Sequence, residues 1–343
     1  MAQVTVRTLD RSSLGDWEHF VQQHPNATFF HRPGWKRVIE ESFGARCYFL
    51  QAWCSGQTTG VLPLVHMRSR LFGDALVSSA YGVYGGSIAL DQQSITALDT
   101  AAEELGKKLD VDYVEYRYRT PSGQSREMKS SLYATFRKVI GGPDNLSFVP
   151  RKRRASVRKA QSLGLKSTIT QNIDAFYSLY ARNKRDLGTP VYSRAYFVKL
   201  AEVFGNDCDI FIINNNNDDA VCSVMVFYFR DEVLPYYSGA NRKARDCAAN
   251  DFMYWKLMKR AVEEGYRWFD FGRSKTGTGS FKYKQLWGFD PHFLNYEYVL
   301  FNRSKMPDLS PLNPKYAWLT SLWKQLPLPV ANRLGPLISG GLG

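Results

Sequence analysis

The stretch VLPYYSGANRKARDCAANDFMYWKLMKRAVEEGYRWFDFG, Val233 to Gly272, reads as strand, polar loop, helix and strand. Aromatic and β-branched residues up to Ala240 favour a strand. Apolar residues then recur at helical spacing over Asp251–Glu264, and YRWFDFG is a strand again. Earlier in the chain the same order returns over Leu76–Tyr118: ALVSSA, the glycine-rich YGVYGG, a helix from Ser94 to Leu109, and the alternating DYVEYRYR. Each closing strand carries an acidic residue between aromatic or apolar neighbours, Val114-Glu115-Tyr116 and Phe269-Asp270-Phe271.

Working outward, the elements before these two units also correspond. The first half opens with a strand at Val4–Leu9 and helices at Leu14–Gln23 and Trp35–Phe43, the latter entered through Pro33-Gly34. RCYFLQAW and TTGVLPLVHM flank the turn CSGQ as a hairpin. The second half has KSTIT as a strand, helices at Ile173–Leu187 and Arg194–Phe204, and a hairpin of CDIFIIN and AVCSVMVFYF around NNNNDD. The expected fold is therefore α/β with α+β-type mixed sheets, built as two similar units. They occupy residues 1–150 and 151–305, joined by a basic helix, and an amphipathic tail covers 306–343.

Composition bounds the function. At 343 residues, 44% hydrophobic and 22% charged, the chain suits two globular domains. It has no apolar run of the roughly 18 residues a membrane span needs, and its start lacks the basic-then-apolar order of a signal peptide. Five cysteines without C-x-x-C spacing argue against disulfides or zinc and suit a reducing cytoplasm. Neither H-E-x-x-H nor G-x-S-x-G is present. The glycine-rich loop after Gly272 fails both phosphate motifs. Thr278 stands where a P-loop lysine belongs, and Gly277 and Gly279 are followed by Lys282 rather than a third glycine.

The net charge of +13 is concentrated. RKRRASVRKAQSLGLK, Arg151 to Lys166, holds seven basic residues and no acidic one. As a helix it has Val157 and Leu163 as its few apolar contacts. It is either a solvated linker helix or a phosphate-contacting face for a polyanion.

The element order resembles the GNAT acyltransferase fold, and a tandem of two such units resembles the FemAB family of non-ribosomal aminoacyltransferases. The resemblance rests on Phe269-Asp270-Phe271-Gly272 and on Tyr283-Lys284-Gln285-Leu286-Trp287-Gly288, similar to the family's Y/F-D-F-G and F-K-x-x-F/W-G motifs. It rests also on ATFFHRPGWKRVIEESFG in the first half. LGTPVYS, FYFRDEVLPYYSGA and FDFGRSKTGTGS are similar to the FemAB-like branch that accompanies exosortase (PEP-CTERM) and exopolysaccharide systems. The match spans about 300 of the 343 residues and leaves out the tail.

The resemblance implies an acyl- or aminoacyltransferase that forms an amide on an amino-bearing cell-envelope precursor, peptidoglycan- or exopolysaccharide-related. It implies no tightly bound cofactor and a donor that is aminoacyl-tRNA or acyl-CoA. The motif lysine falls on Lys284, whose charge would face the developing oxyanion or a donor phosphate, with Lys282 as an accessory cation. Asp270 is a candidate general base; the alternative for it is a hydrogen-bonded structural carboxylate. The loop NRKARDCAAN, where GNAT enzymes hold pyrophosphate on backbone amides of [QR]-x-x-G-x-[GA], offers Arg242 and Arg245 but no glycine. That departure favours a donor held by side-chain charge.

For the acceptor, a nucleotide- or lipid-linked precursor, Tyr196 matches a family tyrosine, while Tyr192 replaces the arginine that accompanies it. Tyr236 and Tyr237 are stacking candidates or core residues. Lys36 is either a phosphate contact or a solvated helix lysine. In the tail, Trp318, Leu319, Leu322, Trp323 and Leu326 share one helical face, which docks on the protein's own core or lies on a membrane, the latter making the protein peripheral at its inner face. Two other readings stay open: an acyl-CoA-dependent N-acetyltransferase, and a non-catalytic binding protein on the same scaffold.

Overall fold

Long runs of β-branched and aromatic residues make the strands of each sheet, and their burial on both faces explains why they read as continuous rather than alternating. In Ala220–Phe229 every residue after Ala220 is buried. The computed structural model describes residues 3–69, 72–141, 149–306 and 314–341, with side chains in the last range from 319 onward. These form two compact units.

In the first unit the sheet runs Thr5–Thr8, Arg46–Cys54, Gln57–Ser69, Gly73–Ser78, Tyr113–Tyr118, Asn295–Leu300, Glu127–Lys129, with Ile88–Ala89 beside Gln57–Ser69. All its pairings are antiparallel except Gly73–Ser78 with Tyr113–Tyr118, in register Ala75↔Tyr113, Leu76↔Val114 and Val77↔Glu115. The crossover between these parallel strands is the Gln92–Leu109 helix, which packs Leu98 and Ala102 on the sheet with Leu62, Leu64, Leu76 and Val114. Asp91 caps that helix by accepting from the Ser94 amide at 2.7 Å.

The second unit's sheet runs Lys166–Thr170, Cys208–Asn214, Ala220–Phe229, Glu232–Ala240, Trp268–Asp270, Arg137–Val139. Again one pair is parallel, Glu232–Ala240 with Trp268–Asp270, and the Ala249–Glu263 helix crosses between them. Phe252, Met253, Trp255, Leu257 and Met258 from this helix meet Val224, Val226, Phe269, Phe271, Trp287 and Phe289 in one core. The repeated order strand, crossover helix, parallel strand is the expected duplication.

The units do not part at a single cut near residue 150. The first contains 1–132, 293–310 and 340–343, and the second 133–292 and 311–339. Strand pairing is the reason: Asn295–Leu300 lies against Tyr113–Tyr118, and Arg137–Val139 against Trp268–Asp270. The basic segment is helical over Arg151–Ser162 and lies inside the second unit, where Val157 and Ala160 are buried and Leu163 is exposed. Of the expected apolar contacts, Val157 serves and Leu163 does not. The tail makes two helices, Pro314–Gln325 and Leu328–Ser339. Part of it docks: Gly335 lies against Val191, and Gly188 against Thr320 and Lys324. Leu319, Leu322, Leu334 and Leu337 stay exposed, while the side chain of Trp318 lies outside the described residues. Among the described residues no helix is long and apolar enough to cross a membrane.

Candidate active site

A β-bulge opens the site. In the Glu232–Ala240 strand, Met225 pairs with Tyr237 and Val226 with Pro235, so Tyr236 is the extra residue at the register shift. Pro235 has no amide hydrogen to give, which is why a central strand tolerates it only at such an irregularity. The parallel neighbour pairs only at Glu232↔Trp268 and Val233↔Phe269 and ends at Asp270. Past these two pairs the strands part. Tyr236 stands at the opening, half-buried against Phe227 and Tyr237.

The chain leaves the short strand through Gly272, held at φ +66°, a conformation glycine takes without strain. The stretch that follows, read from sequence as a loop of unsettled role, closes with a helix at Gly279–Gln285. Thr278 caps it, its hydroxyl accepting from the Phe281 amide at 3.4 Å and donating to the Lys275 carbonyl at 2.7 Å. This helix turns Phe281 and Lys284, three residues apart, inward.

Lys284 is 9% exposed. Its Nζ donates to the carbonyls of Phe271 at 2.7 Å, Gly272 at 2.9 Å and Arg273 at 3.3 Å. Three donors meet three acceptors, which is the complement of an ammonium. Burial pulls its pKa down to about 7, with the Asp270 charge opposing that fall and Arg273 adding to it. Asp270 is fully buried, and its Oδ1 accepts from the Thr135 hydroxyl at 3.0 Å and the Gly272 amide at 2.7 Å. Asp270 therefore braces the same turn that Lys284 grips. Its counterpart in the first unit, Glu115, is tied to Arg117 at 2.7 Å.

Behind this turn sits Asp251, which the sequence reading did not single out. It lies in the first turn of the Ala249–Glu263 helix, where the helix dipole favours a carboxylate. It accepts from the Tyr283 hydroxyl at 2.7 Å, the Trp287 indole at 3.2 Å and Arg153 at 3.0 Å. Arg153 also lies 5.1 Å over the Tyr283 ring. One carboxylate thus links the lysine motif to the basic helix. The signal for it was an aspartate in the first turn of a helix whose inward face is apolar.

The proposed donor groups lie on the surface. Arg242 and Arg245 are exposed around the short Lys243–Asp246 helix, and among the described residues no carboxylate pairs with either. Ala248, at the end of the same loop, takes φ +54° as the cap of the Ala249–Glu263 helix. The loop lacks glycine yet keeps a backbone shape glycine favours. Lys282, in the lysine motif, is exposed too. On the basic helix, Arg154 donates to the Val149 carbonyl at 2.6 Å, and Arg151, Lys152, Arg158 and Lys159 are exposed.

Of the acceptor candidates, Tyr196 and Tyr237 are buried and share a hydroxyl–hydroxyl hydrogen bond of 2.7 Å. Tyr192 packs on both rings. Burial raises the pKa of both buried hydroxyls far above the ordinary value. Only Tyr192 and Tyr236 keep partial exposure in this cluster. Lys36, in the first unit, is half-buried and paired with Glu40 at 2.5 Å. Among the described residues no group of three histidine, cysteine, aspartate or glutamate side chains could hold a metal ion.

Two α/β units in one chain, each with one parallel pair around a crossover helix, are the arrangement of a known fold. The chain is a tandem GNAT protein in fold. Residues 151–285, within the second unit, match the acetyltransferase (GNAT) domain family. The whole chain is similar to the crystal structure of FemX, with a TM-score of 0.67 at 13% identity, over 87% of this chain and 98% of that one. It is also similar to a tandem GNAT protein from the clavulanic acid biosynthesis pathway, with a TM-score of 0.56 at 12% identity, over 88% and 100%. A third likeness is to L-PGS from Bacillus licheniformis, with a TM-score of 0.56 at 11% identity, over 93% and 99%. No curated protein matches the chain in sequence. The tandem GNAT fold expected from the FemAB resemblance is the one the chain adopts.

Proposed function

We propose that the protein transfers an acyl group to an amine, with Lys284 as the cation at the reaction centre. The observation that carries this is the buried Lys284 ammonium fixed on the turn Phe271–Arg273, where the bulged strand parts from its parallel neighbour. In the reaction a neutral acceptor amine attacks the donor carbonyl carbon. An oxyanion forms, the bond from carbon to the leaving oxygen or sulfur breaks, and the proton shed by the amine leaves with the departing group. A positive charge held out of water stabilises that oxyanion far more than a solvated one does.

The donor is a polyanion, and aminoacyl-tRNA is the leading reading. Four exposed cations on the Arg151–Ser162 helix and the exposed Arg242 and Arg245 support it. So does the absence of a glycine-built pyrophosphate loop. Acyl-CoA is the second reading, favoured by the acetyltransferase domain match. The acceptor is an amine on a nucleotide- or lipid-linked cell-envelope precursor, with the partly exposed Tyr236 placed to meet it.

The test is a product assay. The purified protein is incubated with aminoacyl-tRNA or acetyl-CoA and amino-bearing envelope precursors, and amide products are sought by mass spectrometry. Lys284→Ala should cut turnover at least about ten-fold, or ~1.4 kcal/mol of transition-state stabilisation, with circular dichroism unchanged. Full activity in that variant removes Lys284 from the chemistry. Product from acetyl-CoA alone decides for the second reading.

A further inference from the structure

The first unit holds a cavity of about 260 Å³ beyond the end of its parallel strand pair. Gln92 and Ile95 line it from the start of the crossover helix, and Tyr118, Arg119 and Thr120 from the chain leaving the second parallel strand. Arg119 is the one charged side chain among the lining residues. Its guanidinium lies 5.5 Å over the ring of Tyr84. Among the described residues no carboxylate pairs with it.

Several other polar groups of the wall are committed. His31 accepts at Nδ1 from the Thr28 amide at 3.2 Å, and its Nε2 faces the Gly86 carbonyl at 3.2 Å, so it is neutral with its proton on Nε2. Burial keeps it so, lowering its pKa to about 4. His24 is fixed likewise between the Asn26 amide at 3.3 Å and the Ala89 carbonyl at 3.0 Å. The Ser87 and Tyr118 hydroxyls are 3.0 Å apart, and Ser87 donates to Asp99 at 2.5 Å. The helix start is already occupied by the carboxylate of Asp91, bound to the Ser94 amide. A pyrophosphate there would meet that negative charge, so this is no dinucleotide-type cradle.

The one charged group left is the Arg119 guanidinium, in a wall that also carries Ile88, Ile95, Tyr84 and Tyr118. A guanidinium fork matches a carboxylate in two parallel hydrogen bonds. We infer that the first unit binds a small carboxylic acid with an apolar body, its carboxylate on Arg119 and its hydrocarbon against Ile95 and Tyr84. This site uses no residue of the second unit and stands apart from the reading of Lys284.

The experiment uses the full chain and three matched probes, hexanoate, 1-hexanol and hexyl phosphate, titrated by calorimetry with saturation-transfer NMR as a second readout. Hexanoate should bind saturably and at least ten-fold more tightly than hexanol. Arg119→Gln should weaken hexanoate at least ten-fold and leave hexanol unchanged, and Lys284→Ala should alter neither. Thr120→Trp, an exposed position at the rim, should block all binding; it decides the matter alone if thermal melts show Arg119→Gln to be unfolded. The inference is overturned if wild type does not bind hexanoate, if neither variant weakens it, or if hexyl phosphate binds ten-fold more tightly.

Discussion

Lys284 and Ala248 are single residues whose surroundings set measurable behaviour. An unfolded lysine titrates near about 10.4, whereas the folded amine of Lys284 titrates at about 7. Between those values unfolding takes up a proton, so this group makes stability rise as pH climbs from about 7 toward about 10 and gives no such gain below 7. Lys284→Met should flatten that rise, as read by urea melts across the pH series; an identical slope in both proteins would show that the amine is not desolvated. Catalysis runs the other way. If the ammonium stabilises the oxyanion, kcat at saturating substrate falls as pH passes upward through about 7, and a kcat that rises there instead assigns Lys284 to proton abstraction. Ala248 bears a left-handed backbone at φ +54°. Ala248→Gly should raise stability by about 1 kcal/mol, since an L-residue is strained there and glycine is not; a lower denaturation midpoint would contradict this.

At the scale of elements, the Arg151–Ser162 helix is divided between two duties. Arg153 and Arg154 are inward partners, bound to Asp251 and to the Val149 carbonyl, while Arg151, Lys152, Arg158 and Lys159 face solvent. Reversing those four to glutamate tests nucleic-acid binding without breaking the fold. Affinity for tRNA should drop sharply, and the slope of log affinity against log salt should flatten by about 0.7 to 0.9 for each phosphate no longer neutralised. Coenzyme A, with few phosphates, should be affected little; unaltered tRNA binding would remove the helix from the donor site. Asp251→Asn probes the inward side. It leaves Arg153 without its counter-charge and weakens two further hydrogen bonds, so a loss of about 2–4 kcal/mol is expected, seen as a lower urea midpoint.

For the molecule as a whole, the division of the chain matters more than its length. The first unit completes its sheet with Asn295–Leu300, whose Glu297 accepts from the Ser122 hydroxyl at 2.6 Å and the Ser122 amide at 2.9 Å. A fragment of residues 1–150 therefore exposes the Tyr113–Tyr118 strand, buried on both faces, along its unpaired edge. It should lack a cooperative thermal transition and disperse poorly in NMR, where joining 293–306 to it through a flexible linker should restore both. A cooperative melt of the fragment alone would mean that strand is dispensable.

Local sequence determined a great deal here. The helices Leu14–Gln23, Ile173–Leu187 and Arg194–Phe204 and the strands Lys166–Thr170, Cys208–Asn214, Ala220–Phe229 and Glu232–Ala240 run where periodicity and turn residues put them. The reason is that a buried face imposes its spacing on a contiguous segment. The duplicated order was legible in the corresponding segments of the two halves, and the GNAT fold in the resemblance of that order to a known family. The motif around Lys284 was legible as a motif. Its environment was not, because the three carbonyls it grips and the carboxylate of Asp251 behind it come from other elements. Pairing across the sheet likewise has no local signature. Only tertiary structure decided that Tyr236 bulges out beside Pro235, that Arg153 faces inward while Arg151 faces water, and that Asn295–Leu300 returns to the first unit's sheet. Each of these depends on which distant segment supplies the hydrogen-bond partner.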